Sequence, residues 1–262
     1  MRIIVCVKQV PDTTEITINP ETGTLIREGV PAILNPDDAN ALEQALQFKD
    51  KNPDTEVIAM TMGPMQATEA LQECIAMGAD EGILLSDRAL GGSDTWATSN
   101  ALVAGIHKIG DYDLVFAGRQ AIDGDTAQVG PQIAEKLGIP QITYVQEVEM
   151  TDQGLVVKRA LEDGYEKLRV KMPCLLTAIK ELNTPRYMSI RGILKAAHAD
   201  IKIWSADDIG VDHDIVGLNA SPTNVFRSFT PKPKGAGMTV PGDTPKEKAL
   251  NLMKEMRAKH IV

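Results

Sequence analysis

Residues 119–130 read RQAIDGDTAQVG and gather several ligand-binding groups in one short stretch. Gly118 and Gly124 let a backbone turn close to a bound group. Thr126, Ala127, Gln128 and Val129 would present main-chain amides at a helix start, and Thr126 and Gln128 add side-chain donors. Amides at a helix start suit an anion such as a phosphate. Asp123 and Asp125 oppose a bare phosphate site unless they face away, cap the helix or bind ribose hydroxyls. An N-cap loop that holds no ligand has the same spacing, so both readings stand at this point.

Two other stretches share this character. GGSDTWATS places two glycines before Ser93, Asp94 and Thr95 at a second helix start. LNPDDANAL places Asn35, Asp37 and Asp38 around Pro36 at a third. These side chains could bind sugar hydroxyls or ring edges. Ordinary capping accounts for them equally well, with Pro36 at the first helical position and the acids at the positive helix end.

Other chemistries find little support. There is no GxGxxG and no GxxxxGK[ST], so neither the dinucleotide fingerprint nor the P-loop is present. There is no GxSxG and no HExxH. His107, His198, His213 and His260 stand in no pattern that demands catalysis. Cys6, Cys74 and Cys174 are far apart in apolar runs, without CxxC or Cys/His spacing. They read as buried free thiols in a reducing compartment. The chain is built to hold a cofactor and carries no evident nucleophile.

The elements that must position these stretches follow from periodicity. RIIVCV is apolar throughout, as a strand covered on both faces should be. EITINPETGTLI reads as a hairpin. LNPDDANALEQALQFKD then gives a capped helix with Leu42, Ala45, Leu46 and Lys49 at helical spacing. EVIAMTMGPMQATEALQECIAMGADEGILLSD gives strand, break, helix, a stop at Gly78, and strand. SDTWATSNALVAGIHKIG gives a helix ending at Gly110, DLVFAG a strand, and PQIAEKLG a helix ending at Gly138. Such alternation predicts parallel β-α-β units with helices on both sheet faces. In that architecture ligands collect beyond the carboxyl ends of the strands. There CVKQVPD, TMGP with Met62 and Gly63, LSDRALGGSDTWATS and AGRQAIDGDTAQVG would converge.

From Gln141 the texture changes. ITYVQEVEM, LVVKRAL, EKLRVKM and CLLTAIK are strand-like, with TDQG and EDG as turns. This predicts a β-rich extension on the α/β core or at its edge. NTPRYMSIRGILKAAHADIKIW reads as a loop, a short amphipathic helix and a last strand. After Asp207, SPTNVFRSFTPKPKGAGMTVPGDTP carries five Pro and three Gly, which deny it long helices or central strands. KEKALNLMKEMRAKH is an amphipathic helix with Leu250, Met253 and Met256 near one face. The expected fold is α/β: a doubly wound, mostly parallel sheet with a β-rich extension and a Pro/Gly-rich arm ending in a helix. Residues 1–206 would form the ligand-binding α/β domain, and 207–262 an arm reaching over a neighbour, although a loose tail has the same composition.

Composition bounds the partners. The chain has 262 residues, 43% hydrophobic but only 4% aromatic, so aliphatic side chains must fill its core. Its 27 basic and 36 acidic residues leave a formal charge of -9, which argues against nucleic acid or an anionic membrane as partner. The first residues, MRIIVCVKQVPD, are too short an apolar run for a signal or a span. The expectation is a cytoplasmic protein.

VKRALEDGYEKLRVKMPCLLT, Val157 to Thr177, resembles the signature of electron-transfer flavoprotein beta subunits. Arg159, Glu162, Asp163, Gly164, Glu166, Leu168, Pro173, Leu175, Leu176 and Thr177 fill its places without a departure. CVKQVPD, LNPDDANALEQAL, MGP, AMGAD, GRQAIDGDTAQVG and LNTPRYMSI are similar to family blocks, so the resemblance covers nearly the whole chain. It implies an adenine-nucleotide site lined by Cys6, Asn35, Pro36, Asp37, Asp38, Met62, Gly63, Asp94, Thr95 and the run Gly118, Arg119, Gln120, Ala121, Ile122, Asp123, Gly124, Asp125, Thr126, Ala127, Gln128 and Val129.

The resemblance also implies partners. An alpha subunit holding FAD would complete a heterodimer, embraced by the C-terminal arm. Pro185–Lys195 would dock on an acyl-CoA dehydrogenase, with Ile190 at the anchoring position. The family has two branches. In one the beta site holds AMP. In the other it holds a second FAD, oxidises NADH and splits the electrons between ferredoxin or flavodoxin and a high-potential acceptor. GGSDTWATS and AIDGDTAQVG resemble the second branch, so FAD is the expected cofactor, with AMP as the alternative. NADH oxidation would be an activity of the heterodimer and not of this subunit alone.

Overall fold

The apolar run RIIVC forms β1 (Arg2–Cys6), which sends Ile3 and Val5 into one layer of the core and Ile4 and Cys6 into the other. Successive strand residues point to opposite sheet faces, so a strand apolar at every position must be covered on both. The computed structural model describes residues 1–12, 31–223, 225–226 and 235–262. Among these, β1 sits inside a nine-stranded sheet. Its spatial order is β11 (Lys202–Trp204), β5 (Glu81–Leu85), β4 (Glu56–Met62), β1, β6 (Leu114–Gly118), β10 (Cys174–Ala178), β7 (Gln141–Thr151), β8 (Gly154–Leu161) and β9 (Gly164–Val170). Neighbours from β11 to β7 are all parallel. A two-stranded ladder of β2 (Gln9–Pro11) and β3 (Ala32–Leu34) lies apart from it.

Helices cover both faces, as the β-α-β alternation requires. α1 (Pro36–Lys51), α2 (Thr68–Met77) and α5 (Ile190–Ala197) bring Leu42, Leu46, Leu71, Ile75 and Ala196 to the layer of Ile3 and Val5. α3 (Thr95–Ile109) and α4 (Val129–Leu137) bring Ala101, Leu102, Ile106, Ile133 and Ala134 to the layer of Ile4. Gly110 and Gly138 stop α3 and α4 with φ of 92° and 66°, where a side chain would be strained.

The β-rich extension is a meander: β7, β8 and β9 pair antiparallel across the expected TDQG and EDG turns. CLLTA departs from the expectation. As β10 it lies between β6 and β7 in the parallel sheet with all five residues buried. Its apolar residues on both faces, around the single polar Thr177, are the mark of a strand covered on both sides.

Chain order sets the site. From β1 the chain builds β4 and β5 on one side, then returns to lay β6 on the other side of β1. Loops leaving β1 and β6 therefore part in opposite directions and open a crevice at the carboxyl edge, where open α/β sheets bind ligands.

Residues 207–221 pack with this unit, since Ile209, Val211 and Val216 are buried in the same layer as α3, and α6 (Gly217–Ala220) follows them. α7 (Pro245–Ala258) belongs to a second unit. Thr244 caps it by accepting a hydrogen bond from the Glu247 amide at 3.2 Å, and Leu250, Leu252 and Met253 are exposed along it. The hairpin expected at 15–26 and the arm positions 224 and 227–234 lie outside the described residues. Among the described residues no helix is long and apolar enough to cross a membrane, and no cluster of His, Cys, Asp and Glu could hold a metal ion.

Candidate functional site

The floor of the crevice is built by the start of α1. Pro36 stands at its first position, with Asp37 and Asp38 in the first turn. Asp38 is buried, and its two oxygens accept the amides of Lys8 at 2.8 Å and Gly118 at 2.9 Å. One carboxyl thus joins the chain leaving β1 to the chain ending β6. Burial pushes this carboxyl up to about 7, against the lowering effect of its hydrogen bonds. Burial also raises Asp37, which Arg119 opposes from 3.4 Å. Cys6, the last residue of β1, is buried beside Asp38, and its thiol is pushed up to about 12. It is a neutral packing group and no thiolate nucleophile.

Asn35 does something its sequence position did not reveal. It precedes α1 but makes no side-chain cap hydrogen bond. Its Nδ2 donates to the Gln120 carbonyl at 2.9 Å, and its Oδ1 accepts from the Ile122 amide at 3.1 Å. Its own amide donates to the Lys8 carbonyl at 2.9 Å. Asn35 therefore ties the post-β6 segment to helix α1 and to the β1 exit.

That segment folds as a shallow cradle. Ala121 accepts the amides of Gly124 and Asp125, closing a turn. Gln120 donates to Asp125 at 2.7 Å. Lys8 Nζ lies 2.7 and 2.8 Å from the two oxygens of Asp123, so this acid is neutralised instead of repelling an anion. Asp125 and Ala127 both take positive φ, 49° and 53°, an uncommon conformation for residues with a Cβ. α4 begins only at Val129, with Gln128 as its N-cap residue. The amides of Thr126 and Ala127 thus belong to the loop and not to the helix start expected for them. Among the described residues the amides of Thr126, Ala127 and Gln128 find no acceptor.

The two glycines differ. A Cβ on Gly118 would strike Asp38 Oδ1 and lie 2.8 Å from the Asp37 carbonyl carbon. Its smallness admits α1, and the close approach expected there is to the helix. A Cβ on Gly124 would meet nothing within 4 Å, so that turn faces open space.

The second helix start closes one end. Thr95 Oγ1 donates to Gln128 Oε1 at 3.0 Å, which brings α3 against the cradle. Asp94 caps α3 through the Ala97 amide, and its other oxygen accepts from the Thr223 amide at 3.0 Å and hydroxyl at 2.6 Å. Its carboxylate therefore holds α3 and the 221–223 segment. Met62 ends β4 at the same sheet edge, and Gly63 donates to the Leu85 carbonyl at 3.0 Å.

Main-chain amides without an acceptor among the described residues, beside an acid paired with a lysine, are an arrangement that suits an anion. The family model described as electron transfer flavoprotein domain matches residues 22–209. The chain belongs to the electron transfer flavoprotein family. Across its full length, and theirs, it is 62% identical to the caffeyl-CoA reductase-Etf complex subunit CarD of Acetobacterium woodii and 57% identical to the electron transfer flavoprotein subunit beta of Clostridium acetobutylicum. It is likewise 50% identical to the acryloyl-CoA reductase electron transfer subunit gamma of Anaerotignum propionicum, again with both chains fully covered.

This electron transfer flavoprotein chain carries two residues at the site that sequence reasoning missed. Lys8 follows β1, and a lone cation at a strand's carboxyl end was the available signal. Tyr144 had none. It sits at a register shift of β7 with φ of 56°, its amide donates to Thr177 Oγ1, and the Arg119 guanidinium lies 5.7 Å from its ring. Pro185–Lys195, the segment expected to dock on a partner, lies elsewhere, on α5 and the loop before it. Tyr187, Met188, Ile190, Ile193 and Leu194 are exposed there, Ile190 at 81%.

Proposed function

We propose that this chain is the beta subunit of a heterodimeric electron-transfer flavoprotein and holds FAD at the crevice between the β1 and β6 exits. The heterodimer takes electrons from NADH and divides them between ferredoxin or flavodoxin and, through the FAD of the alpha subunit, an acyl-CoA dehydrogenase. It works in the cytoplasm, where NADH is available.

The observation that carries this reading is the cradle itself. Three successive amides, from Thr126 to Gln128, point to no protein acceptor among the described residues, and Asp123 beside them is neutralised by Lys8. Such a set fits a diphosphate. The open face at Gly124 leaves room for it. When bound, the flavin would supply hydride acceptance and one-electron transfer; the protein sets its position and potential. Asn35 and Asp38 hold the surrounding backbone, Arg119 faces the Asp37 carboxylate, and Thr95 and Gln128 hold α3 against the cradle. The family membership and the CoA-reductase names of two close relatives support the redox assignment and the dehydrogenase partner. Exposed Leu250, Leu252 and Met253 on α7 support an arm that packs on the alpha subunit.

The test is co-expression with the alpha subunit, acid release of bound nucleotides, and their quantification. Two FAD per heterodimer and bleaching by NADH are expected. One FAD and one AMP would replace the NADH-oxidising reading with that of a simple electron carrier. A heterodimer with no nucleotide beyond the alpha FAD would end the cradle assignment.

A further inference from the structure

Helix α1 buries polar side chains on the side away from the nucleotide crevice. Asn40, Glu43 and Gln44 are all buried. Such groups are retained only where they find partners, and for Asn40 and Glu43 the partners come from one loop. Asn40 Nδ2 donates to the Asn183 carbonyl at 2.8 Å and to its Oδ1 at 3.1 Å, and Asn183 Nδ2 donates back to the Asn40 carbonyl at 3.0 Å. Glu43 accepts three bonds from Arg186: its amide at 3.1 Å, Nε at 2.7 Å and Nη2 at 3.1 Å. Arg186 Nη2 also donates to Asp50 at 2.7 Å. These two carboxylates hold the guanidinium charge firmly and raise its pKa, the hydrogen bond donated to Glu43 contributing most.

The chain beyond Arg186 is fixed as tightly. Ser189 caps α5 by accepting from the Gly192 amide at 2.9 Å. Gly192 lies so close to α2 that a Cβ would strike the Ala76 carbonyl oxygen and sit 2.9 Å from its carbon. Lys195 Nζ donates to the Ala79 carbonyl at 3.0 Å. Ala196 packs into the core. One face of α5 is thereby pinned to α2, and Ile190, Ile193 and Leu194 are left facing solvent beside Tyr187 and Met188.

We propose that the Asn40–Glu43 face of α1 and the Asn183–Arg186 loop form a clamp whose task is to hold this apolar face in its docking geometry, with Arg186 as the positioning residue. The inference rests on the reading of Pro185–Lys195 as the acyl-CoA dehydrogenase docking segment. A loop this well bonded presents its anchors from a backbone already held in place, so docking loses less conformational entropy. Arginine suits the role because its planar fork meets a carboxylate at two points, which lysine cannot do. The clamp also explains why a helix that floors the nucleotide crevice carries further buried polar groups, Asn40 and Glu43, within its next turns. The same rigid rod orients both the cradle and the docking face.

The experiment compares the Arg186→Lys, Glu43→Gln and Ile190→Asp variants as heterodimers with the FAD-bearing alpha subunit. The readouts are steady-state reduction of an acyl-CoA dehydrogenase partner, hydrogen exchange of amides 187–194, and bound nucleotide. Arg186→Lys and Glu43→Gln are expected to raise KM for the dehydrogenase about tenfold, with kcat within about twofold. Exchange at 187–194 should quicken in both, and bound nucleotide should stay at the parent level. A purely structural clamp would lower thermal stability without moving KM, and that result overturns the proposal. Ile190→Asp separates the two levels. If it raises KM while the clamp variants do not, docking stands and the clamp fails; if it leaves KM unchanged, the docking reading fails and the clamp with it.

Discussion

Lys8 Nζ meets both carboxylate oxygens of Asp123, at 2.7 and 2.8 Å, across the crevice where the sheet order reverses. Lys8 follows β1 and Asp123 lies in the turn after β6, so the pair spans the two chain exits that part there. Their exposures differ: the Lys8 side chain is 47% exposed and that of Asp123 10%. A pair this lopsided is worth about 1 kcal/mol as an ion pair. Its larger effect is on a bound anion, because Asp123 without Lys8 leaves an unbalanced negative charge beside the free amides. Lys8→Ala should weaken nucleotide binding about fivefold to tenfold, more at low ionic strength. Asp123→Asn should bind at least as well as the parent. Nucleotide retained through gel filtration at two salt concentrations checks both, and equal retention by the two variants would refute the charge argument.

Asn35 offers a test of the cradle's shape. Removing its side chain frees the Gln120 carbonyl and the Ile122 amide together. Unmade hydrogen bonds of partly buried groups cost about 1–3 kcal/mol. Asn35→Ala should lower unfolding free energy by about 2 kcal/mol and speed amide exchange at residues 120–125. Asn35→Ser, which would preserve a helix cap, should rescue neither. A rescue by serine would mean that the side chain acts as a cap after all.

Asp38 makes stability depend on pH with a definite sign. Its carboxyl is raised by burial to about 7 in the folded chain, against about 4 when unfolded. Between those values the unfolded chain releases the proton and the folded chain keeps it. Stability therefore falls as pH rises through this window and levels off above it, by up to about 4 kcal/mol for a shift of this size. Asp38→Asn has no such slope. Denaturant unfolding from pH 4 to 8 should show the parent losing stability relative to the variant, with the whole difference below about pH 7.5. A constant difference would show that the carboxyl ionises normally in its buried place.

Much of this was legible in the sequence because the signals were periodic or obligatory. β1, β4, β5 and β6 are dominated by apolar residues, α1 opens with Pro36 and two acids, and α3 opens with the capping Asp94. The convergence of CVKQVPD and GRQAIDGDTAQVG at one edge follows from parallel topology alone. What stayed hidden was the destination of side chains. Asn35 before a Pro reads as a cap, yet its amide faces a loop 85 residues away in sequence. Asp94 reads as a ligand group, yet Thr223 occupies its free oxygen. β10 looked like part of an edge layer because its central place depends on β7 reaching around it, and no local pattern reports strand order. Tyr144 had no signal, since its positive φ falls at a register shift between β7 and β10 that no local pattern reports.

Gly118 and Gly124 bracket the cradle and should respond in opposite ways. At Gly118 an added methyl meets helix backbone and the Asp38 carboxyl, neither of which can move without pulling α1 off β6. Overpacking of this kind costs about 1–3 kcal/mol, and displacing the buried hydrogen bond adds to it. Gly118→Ala should therefore lower the melting temperature by several degrees or prevent accumulation of folded protein, whether or not nucleotide is present. At Gly124 the same methyl enters open space, so unfolding free energy should change by less than about 0.5 kcal/mol. If that opening is where a diphosphate comes close to the backbone, Gly124→Ala will fold normally and lose nucleotide. Thermal unfolding of the heterodimer, read beside its nucleotide content, distinguishes the two roles. A Gly124→Ala heterodimer with full nucleotide content would move the ligand away from the turn and toward the amides of Thr126 to Gln128 alone.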